Sequence, residues 1–170
     1  MKLRLYLDTS VISAYFDDNV PERKIATHEL WARKDEFELS TSALTRSELE
    51  QVADPKLKSL FIEMLEVITT HPLTSEIEDI AEHYIVSNIF TKTMFNDALH
   101  VAAAVLTRNN VLVSWNFRHL VNRRRRAQIN LVNSSLDLPT IEIIPRGLLA
   151  LHWVVLPQDI VVSQSCKYNR

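Results

Sequence analysis

Five short apolar runs alternate with helical patterns along this chain, and that alternation leaves few folds open. The strand-like runs are residues 3–7 (LRLYL), 37–41 (FELST), 66–70 (EVITT), 111–114 (VLVS) and 141–144 (IEII). Between them, residues 22–36 and 43–52 read as amphipathic helices, and 55–65 starts on Pro55, a residue suited to a helix's first turn. Thr74, Ser75 and Glu76 read as a cap and a first-turn acid ahead of a helix over 74–89. Residues 97–109 (DALHVAAAVLTRN) carry the strongest helical pattern, and 123–135 carry a further one. Strands separated by helices predict an α/β chain: three layers, α/β/α, around a central mostly parallel sheet of four or five strands, joined by right-handed crossovers.

The totals narrow the chemistry. The chain has 170 residues, of single-domain size, with 46% hydrophobic and 24% charged residues, a composition typical of soluble globular proteins. We expect the domain over 1–145 and a C-terminal extension of unknown role over 146–170, apolar but short of helix signals. The net charge of −2 means that any affinity for nucleic acid must come from a local basic patch. The single cysteine, Cys166, excludes an internal disulfide and a cysteine-rich zinc site, and it fits a reducing cytosol. A strand begins at Leu3, which leaves no room for a signal peptide, and the run LLALHWVVL is far shorter than the roughly 20 residues of a spanning helix. A cytoplasmic location is therefore expected. The single glycine, Gly147, excludes a Walker loop, a dinucleotide fingerprint and a nucleophile elbow. Phosphate, if handled at all, is handled by side chains or metal ions.

In a parallel sheet all strands end on one edge, where ligands bind. Asp8 ends the first strand, and Glu48 lies within two turns of the helix leaving the second. Asp97 opens a helix that precedes strand 111–114 and so returns to the same edge, and Asn116 follows that strand by two residues. Four separate stretches thus bring oxygen ligands to one place. At an effective dielectric near 20, two carboxylates about 4 Å apart repel by on the order of 4 kcal/mol, so a proton or a cation must relieve the cluster. Hard oxygen donors favour Mg²⁺ or Mn²⁺, and six scattered histidines argue against zinc.

Each residue also has a structural reading. Asp8 suits a helix N-cap, Thr45 and Glu48 match a capping box, and Asp97 complements a helix dipole. Asn116 suits a turn, and His100, one turn after Asp97, suits a packed, hydrogen-bonded role. The case for chemistry rests on convergence.

Four blocks, YLDTSVISAYFD, STSALTRSELEQV, NDALHVAAAV and VLVSWNFRHL, resemble in this order the PIN domain, a family of metal-dependent ribonucleases that includes VapC-type toxins. The resemblance spans roughly residues 3–145. It implies a PIN-like nuclease domain in which acids at Asp8, Glu48 and Asp97 bind Mg²⁺ or Mn²⁺, with Thr9 or Ser10 in support. Ser114 joins these supporting hydroxyls. Many members carry a fourth acid where this chain has Asn116, which ligates through its carbonyl or holds a metal-bound water but brings no charge. One firm ion and a second recruited with substrate are expected. The implied reaction is hydrolysis of an RNA phosphodiester by water whose pKa a metal lowers from 15.7 toward ~7. The resemblance also implies a homodimer, and a neutralising antitoxin protein as partner in a type II toxin–antitoxin pair.

RNA contacts are expected at Arg118, His119 and the run Arg123, Arg124, Arg125 and Arg126, since arginines at a helix start oppose its dipole and gain from an external anion. A solvated helix face and docking of an acidic partner are the competing accounts. Trp115 and Phe117 flank Asn116 and are candidates to stack a base, one of them facing the core. A dehalogenase-like phosphatase needs a second aspartate where Ser10 stands, and a phosphoacceptor domain needs one in ELSTS. The alternative that survives is a catalytically weakened PIN-like module that binds RNA or protein.

Overall fold

The first strand, β1 (Leu3–Leu7), explains why the sheet is covered on both sides. Leu5 and Leu7 pack into one cluster with Val11, Leu30, Phe61 and Val113, while Tyr6 between them packs into a second with Tyr84, Leu99, Ala102 and Leu112. A strand whose alternate residues are both buried must lie inside a sheet with helices on each face. The computed structural model describes residues 2–144 and has that architecture. The extension at 146–170, with Gly147 and Cys166, lies outside the described residues.

Among the described residues, five strands pair in parallel throughout: β1, β2 (Phe37–Ser42), β3 (Thr69–His71), β4 (Val111–Val113) and β5 (Glu142–Ile144), in the order β3-β2-β1-β4-β5. The chain builds outward from β1 through β2 to β3, then crosses back to place β4 on the other side of β1. The topological switch point therefore lies between β1 and β4, at the carboxyl ends of the strands, the place where sheets of this kind bind ligands. The helices divide accordingly. On one face lie α1 (Thr9–Ala14), α2 (Pro21–Ala32) and α4 (Pro55–Leu65), and on the other α5 (Ser75–Val86), α6 (Phe95–Leu106) and α7 (Arg123–Ser135). The remaining helix, α3 (Ala43–Glu50), straddles the two: Leu44 joins the α5–α7 cluster and Leu49 the other. That straddling position lets Glu48 reach α6.

The three-layer expectation holds, and α4 and α7 span the expected residues. The strand expected at 66–70 is displaced to Thr69–His71, because Ile68 turns into the core and the edge strand pairs β2 only from Ser40↔Thr69 onward. The Thr45–Glu48 capping box does not form. Ser42 occupies the N-cap without a side-chain bond, Thr45 is buried beside Thr41, and Glu48 turns toward α6. No helix among the described residues is long and apolar enough to cross a membrane.

Scarcity of glycine leaves its mark on three helix ends. Asn88, Arg108 and Asp137 each sit one residue beyond the C-caps of α5, α6 and α7, with φ of 57°, 60° and 55°. Glycine usually takes this left-handed position because it has no Cβ to clash. Asn and Asp tolerate it through their short polar side chains, whereas arginine has no such relief. Arg108 is exposed, and among the described residues its side chain makes no hydrogen bond or ion pair. Arg108→Gly is therefore expected to raise the urea-unfolding free energy by up to about 1 kcal/mol. An unchanged or lower midpoint would show that this helix end carries no strain.

Candidate active site

Asp8 follows β1 directly and lies beside the switch point, its amide donating to the Val113 carbonyl of β4 at 3.3 Å. It is both the N-cap of α1 and a site residue, since its Oδ1 accepts from the Val11 amide at 3.3 Å and from Ser10 Oγ at 2.5 Å. Its Oδ2 accepts from Ser114 Oγ at 2.6 Å, across the switch point. The carboxylate is only 4% exposed, and each of these partners is neutral. Burial pushes the Asp8 carboxyl above the ordinary carboxylate value, and the charge of His100 with the Ser10, Ser114 and Val11 hydrogen bonds pulls it only partly back.

Ser114 carries the network onward. Its Oγ accepts from the Asn116 amide at 2.8 Å, and Asn116 Nδ2 donates to Asp97 Oδ1 at 2.9 Å. Asn116 Oδ1 accepts from the His119 amide at 3.1 Å, and the His119 ring meets Asp97 Oδ2 at 3.0 Å. Asp97, in the first turn of α6, is thus gripped at both oxygens by the loop after β4. Asn116 uses its amide as a turn residue does, through Oδ1, and as an orienting donor, through Nδ2.

Glu48 sits in a separate branch. Its Oε2 accepts from the Thr9 hydroxyl in a short contact and lies 3.2 Å from His100 Nε2, while Oε1 accepts from Asn96 Nδ2 at 2.7 Å. His100 Nδ1 lies 3.0 Å from the Tyr6 hydroxyl, itself 2.7 Å from Ser42 Oγ. A carboxylate only accepts, so Nε2 carries the proton shared with Glu48. Burial pushes the Glu48 carboxyl up, but the hydrogen bonds of His100 and Thr9, the charge of His100 and the Asn96 amide together hold it at about 2. Burial also pushes the Tyr6 phenol up, so it remains a donor.

All of the acids expected at the edge are there, in two hydrogen-bonded branches joined through the adjacent Asp8 and Thr9. Each carboxylate is held by its own partners, and among the described residues no three His, Cys, Asp or Glu side chains are grouped to hold an ion. The donor chemistry nonetheless fits a hard divalent cation. The donors are carboxylate, hydroxyl and amide oxygens, and a buried carboxylate with only neutral partners gains from a positive charge beside it. Of the expected RNA contacts, Arg118, Arg123 and Arg124 are exposed. Arg125 bonds the carbonyls of Ile89 and His119 and covers Phe90, and Arg126 pairs with Glu142. Sequence reasoning missed Asn96, Tyr6 and Ser42. Asn96 alone had a local signal, as the neighbour of Asp97 in one helical turn.

The family model described as PIN domain matches residues 5–114. No curated protein matches the sequence. Among solved structures, the chain resembles VapC20 of Mycobacterium tuberculosis, described as a sarcin-ricin loop cleaving toxin, with a TM-score of 0.55 and 18% identity over 68% of this chain and 92% of that one. It also resembles VapBC2 from Rickettsia felis, solved bound to a DNA fragment from its promoter (TM-score 0.53, 8% identity, 84% of this chain and 98% of that one). FitAcB from Neisseria gonorrhoeae matches with a TM-score of 0.50 and 16% identity, over 84% of this chain and 98% of that one. At these identities the likeness is one of fold.

Two expectations about the metal-free protein follow from the opposite environments of Glu48 and Asp8. Glu48 titrates in the folded state below its ordinary value of 4.5, so its charged form stabilises the fold above that pH. This stabilisation is lost as pH falls from about 4.5 toward 2. Glu48→Gln is expected to flatten the acid limb of a stability–pH curve over that window, and an unchanged limb would refute the assignment. Asp8 has the opposite sign: its raised value makes ionisation unfavourable to folding, so the protein loses stability as pH rises through it. Asp8→Asn is therefore expected to raise the melting temperature at pH 7 without metal, by roughly 2–4 °C per kcal/mol relieved. A lowered one would mean that the Ser10 and Ser114 bonds outweigh the buried charge.

Proposed function

The chain belongs to the PIN-domain family, and from that premise we propose that it is a metal-dependent endoribonuclease that hydrolyses RNA phosphodiester bonds as the toxin of a type II toxin–antitoxin pair. The observation that carries the reading is the buried Asp8 carboxylate, with neutral partners only, tied through Ser114 and Asn116 to Asp97. Asp8, Glu48 and Asp97 would hold Mg²⁺ or Mn²⁺, with the second lone pair of Asn116 Oδ1 as a further donor. A divalent ion supplies Lewis acidity, which lowers the pKa of water and polarises phosphoryl oxygen. The chain's own residues set the geometry. Thr9, Ser10 and Ser114 fix the carboxylates of Glu48 and Asp8, and Asn116 and His119 fix Asp97. The exposed Arg118, Arg123 and Arg124 are proposed to take phosphates along the strand. The unit proposed for this activity is 1–145, in the cytoplasm, as a homodimer neutralised by an antitoxin protein that covers the acidic cleft.

A second reading, a PIN-like module that binds without cutting, is favoured by the self-satisfied hydrogen bonding of Glu48 and Asp97 and by Asn116 in place of a fourth acid. Cleavage of a mixed RNA pool with Mg²⁺, Mn²⁺ or EDTA, beside Asp97→Asn, separates the two. The nuclease predicts metal-dependent cutting that the variant reduces by about 100-fold or more, since even loss of a partner of a metal ligand costs 10–100-fold. Absence of cutting together with absence of Mn²⁺ uptake by calorimetry would leave the binding module.

A further inference from the structure

Arg23, in the first turn of α2, is half-buried, and among the described residues its guanidinium makes no hydrogen bond or ion pair. Two aromatic rings hold it instead. Its central carbon lies 5.9 Å from the Trp115 ring centroid and 5.7 Å from that of Phe117, and the two rings stand 6.0 Å apart at 46°. The three groups thus form a nearly equilateral triangle. Trp115 is the buried corner, 7% exposed, and its Nε1 donates to Thr27 Oγ1 at 3.1 Å, which fixes the ring to the helix that carries Arg23. Phe117 is the open corner, 47% exposed. The triangle is coupled to the acidic edge: the Trp115 amide donates to Ser10 Oγ at 2.8 Å, and Ser10 donates to Asp8 at 2.5 Å. Phe117 follows Asn116, the residue that orients Asp97.

A guanidinium carries five N–H donors, and contact with ring faces satisfies none of them. An open cation steadied by aromatics beside an acidic edge suits an oxyanion that arrives with the substrate, and phosphate oxygens accept from arginine in a fork geometry. An exposed aromatic face a few ångströms away suits a base that is not stacked in a duplex. Resting on the nuclease reading above, we propose that Arg23 and Phe117 form a nucleotide subsite. Phe117 stacks one unpaired base and Arg23 binds the adjoining phosphate. Trp115 is the positioning residue of this subsite and does not touch the nucleotide.

The test measures binding without cutting. The full chain carrying Asp97→Asn is titrated against a short fluorescent RNA, as a single strand and as a blunt duplex, with EDTA present. The single strand is expected to bind more tightly. Adding Phe117→Ala is expected to weaken single-strand binding by about 5- to 100-fold, as for loss of one base stack, with duplex binding unchanged and Phe117→Trp restoring it. Adding Arg23→Ala is expected to weaken binding and reduce the slope of log affinity against log salt by about 0.7, the share of one phosphate on a single strand. Arg23→Lys restores the slope. A matched melting temperature for Phe117→Ala excludes unfolding as the cause. Equal binding by parent, Phe117→Ala and Arg23→Ala overturns the subsite, as does equal affinity for the duplex or no RNA binding by the parent. Were wild type to cut RNA while these variants bind unchanged, the subsite alone would fall. Were the variants to weaken binding while wild type cuts nothing, the subsite would stand and the nuclease would fall.

Discussion

The hydrogen bond from Ser114 to Asp8 joins residues 106 positions apart at the point where the strand order reverses. A carboxylate removed from water costs several kcal/mol unless it is solvated by protein groups. Asp8 is solvated from both sides of the switch point, by Val11 and Ser10 at the start of α1 and by Ser114 at the end of β4. Satisfying one acid therefore fixes the entry of α1, the exit of β4 and the distance between them. The Asn116 turn hangs from the same hydroxyl, and through it so does the orientation of Asp97.

The two branches of the network show how environment separates identical chemistry. Asp8 is buried among neutral donors and its carboxyl is pushed up, whereas Glu48 is partly solvated beside His100 and held at about 2. One acid at the edge thus holds its charge across the whole ordinary pH range, while its neighbour holds charge only at a cost. On the proposed function, a cation at this edge would remove that cost, and the burial of Asp8 would then favour its binding. The elements that carry the acids, β1, α3 and α6, leave the loop after β4 to orient Asp97.

Much of this was legible in the chain. An aspartate directly after an apolar strand points to the ligand-binding edge, and Glu48 and Asp97 reach that edge by counting helices between strands. Local motifs misled where long-range contacts competed with them. Thr45 and Glu48 have the spacing of a capping box, yet Glu48 gains more from Thr9, Asn96 and His100 than from its own helix start. The arginine run looked like one patch, but successive residues on a helix point about 100° apart. Arg125 and Arg126 therefore turn back onto the protein, and Arg123 and Arg124 face solvent. Arg23 had no signal at all, since its aromatic partners lie in a loop that follows β4.

What the sequence by itself determined was the set of elements and the edge on which the acids lie, because turn chemistry and the period of apolar residues are short-range properties written in neighbouring positions. What only the tertiary structure decided was which strand stands beside β1, and so which hydroxyl meets Asp8, which helix receives Glu48 and which rings hold Arg23. Those pairings join stretches far apart in the chain. They are selected by the simultaneous packing of two cores against one sheet, and no local pattern records that choice.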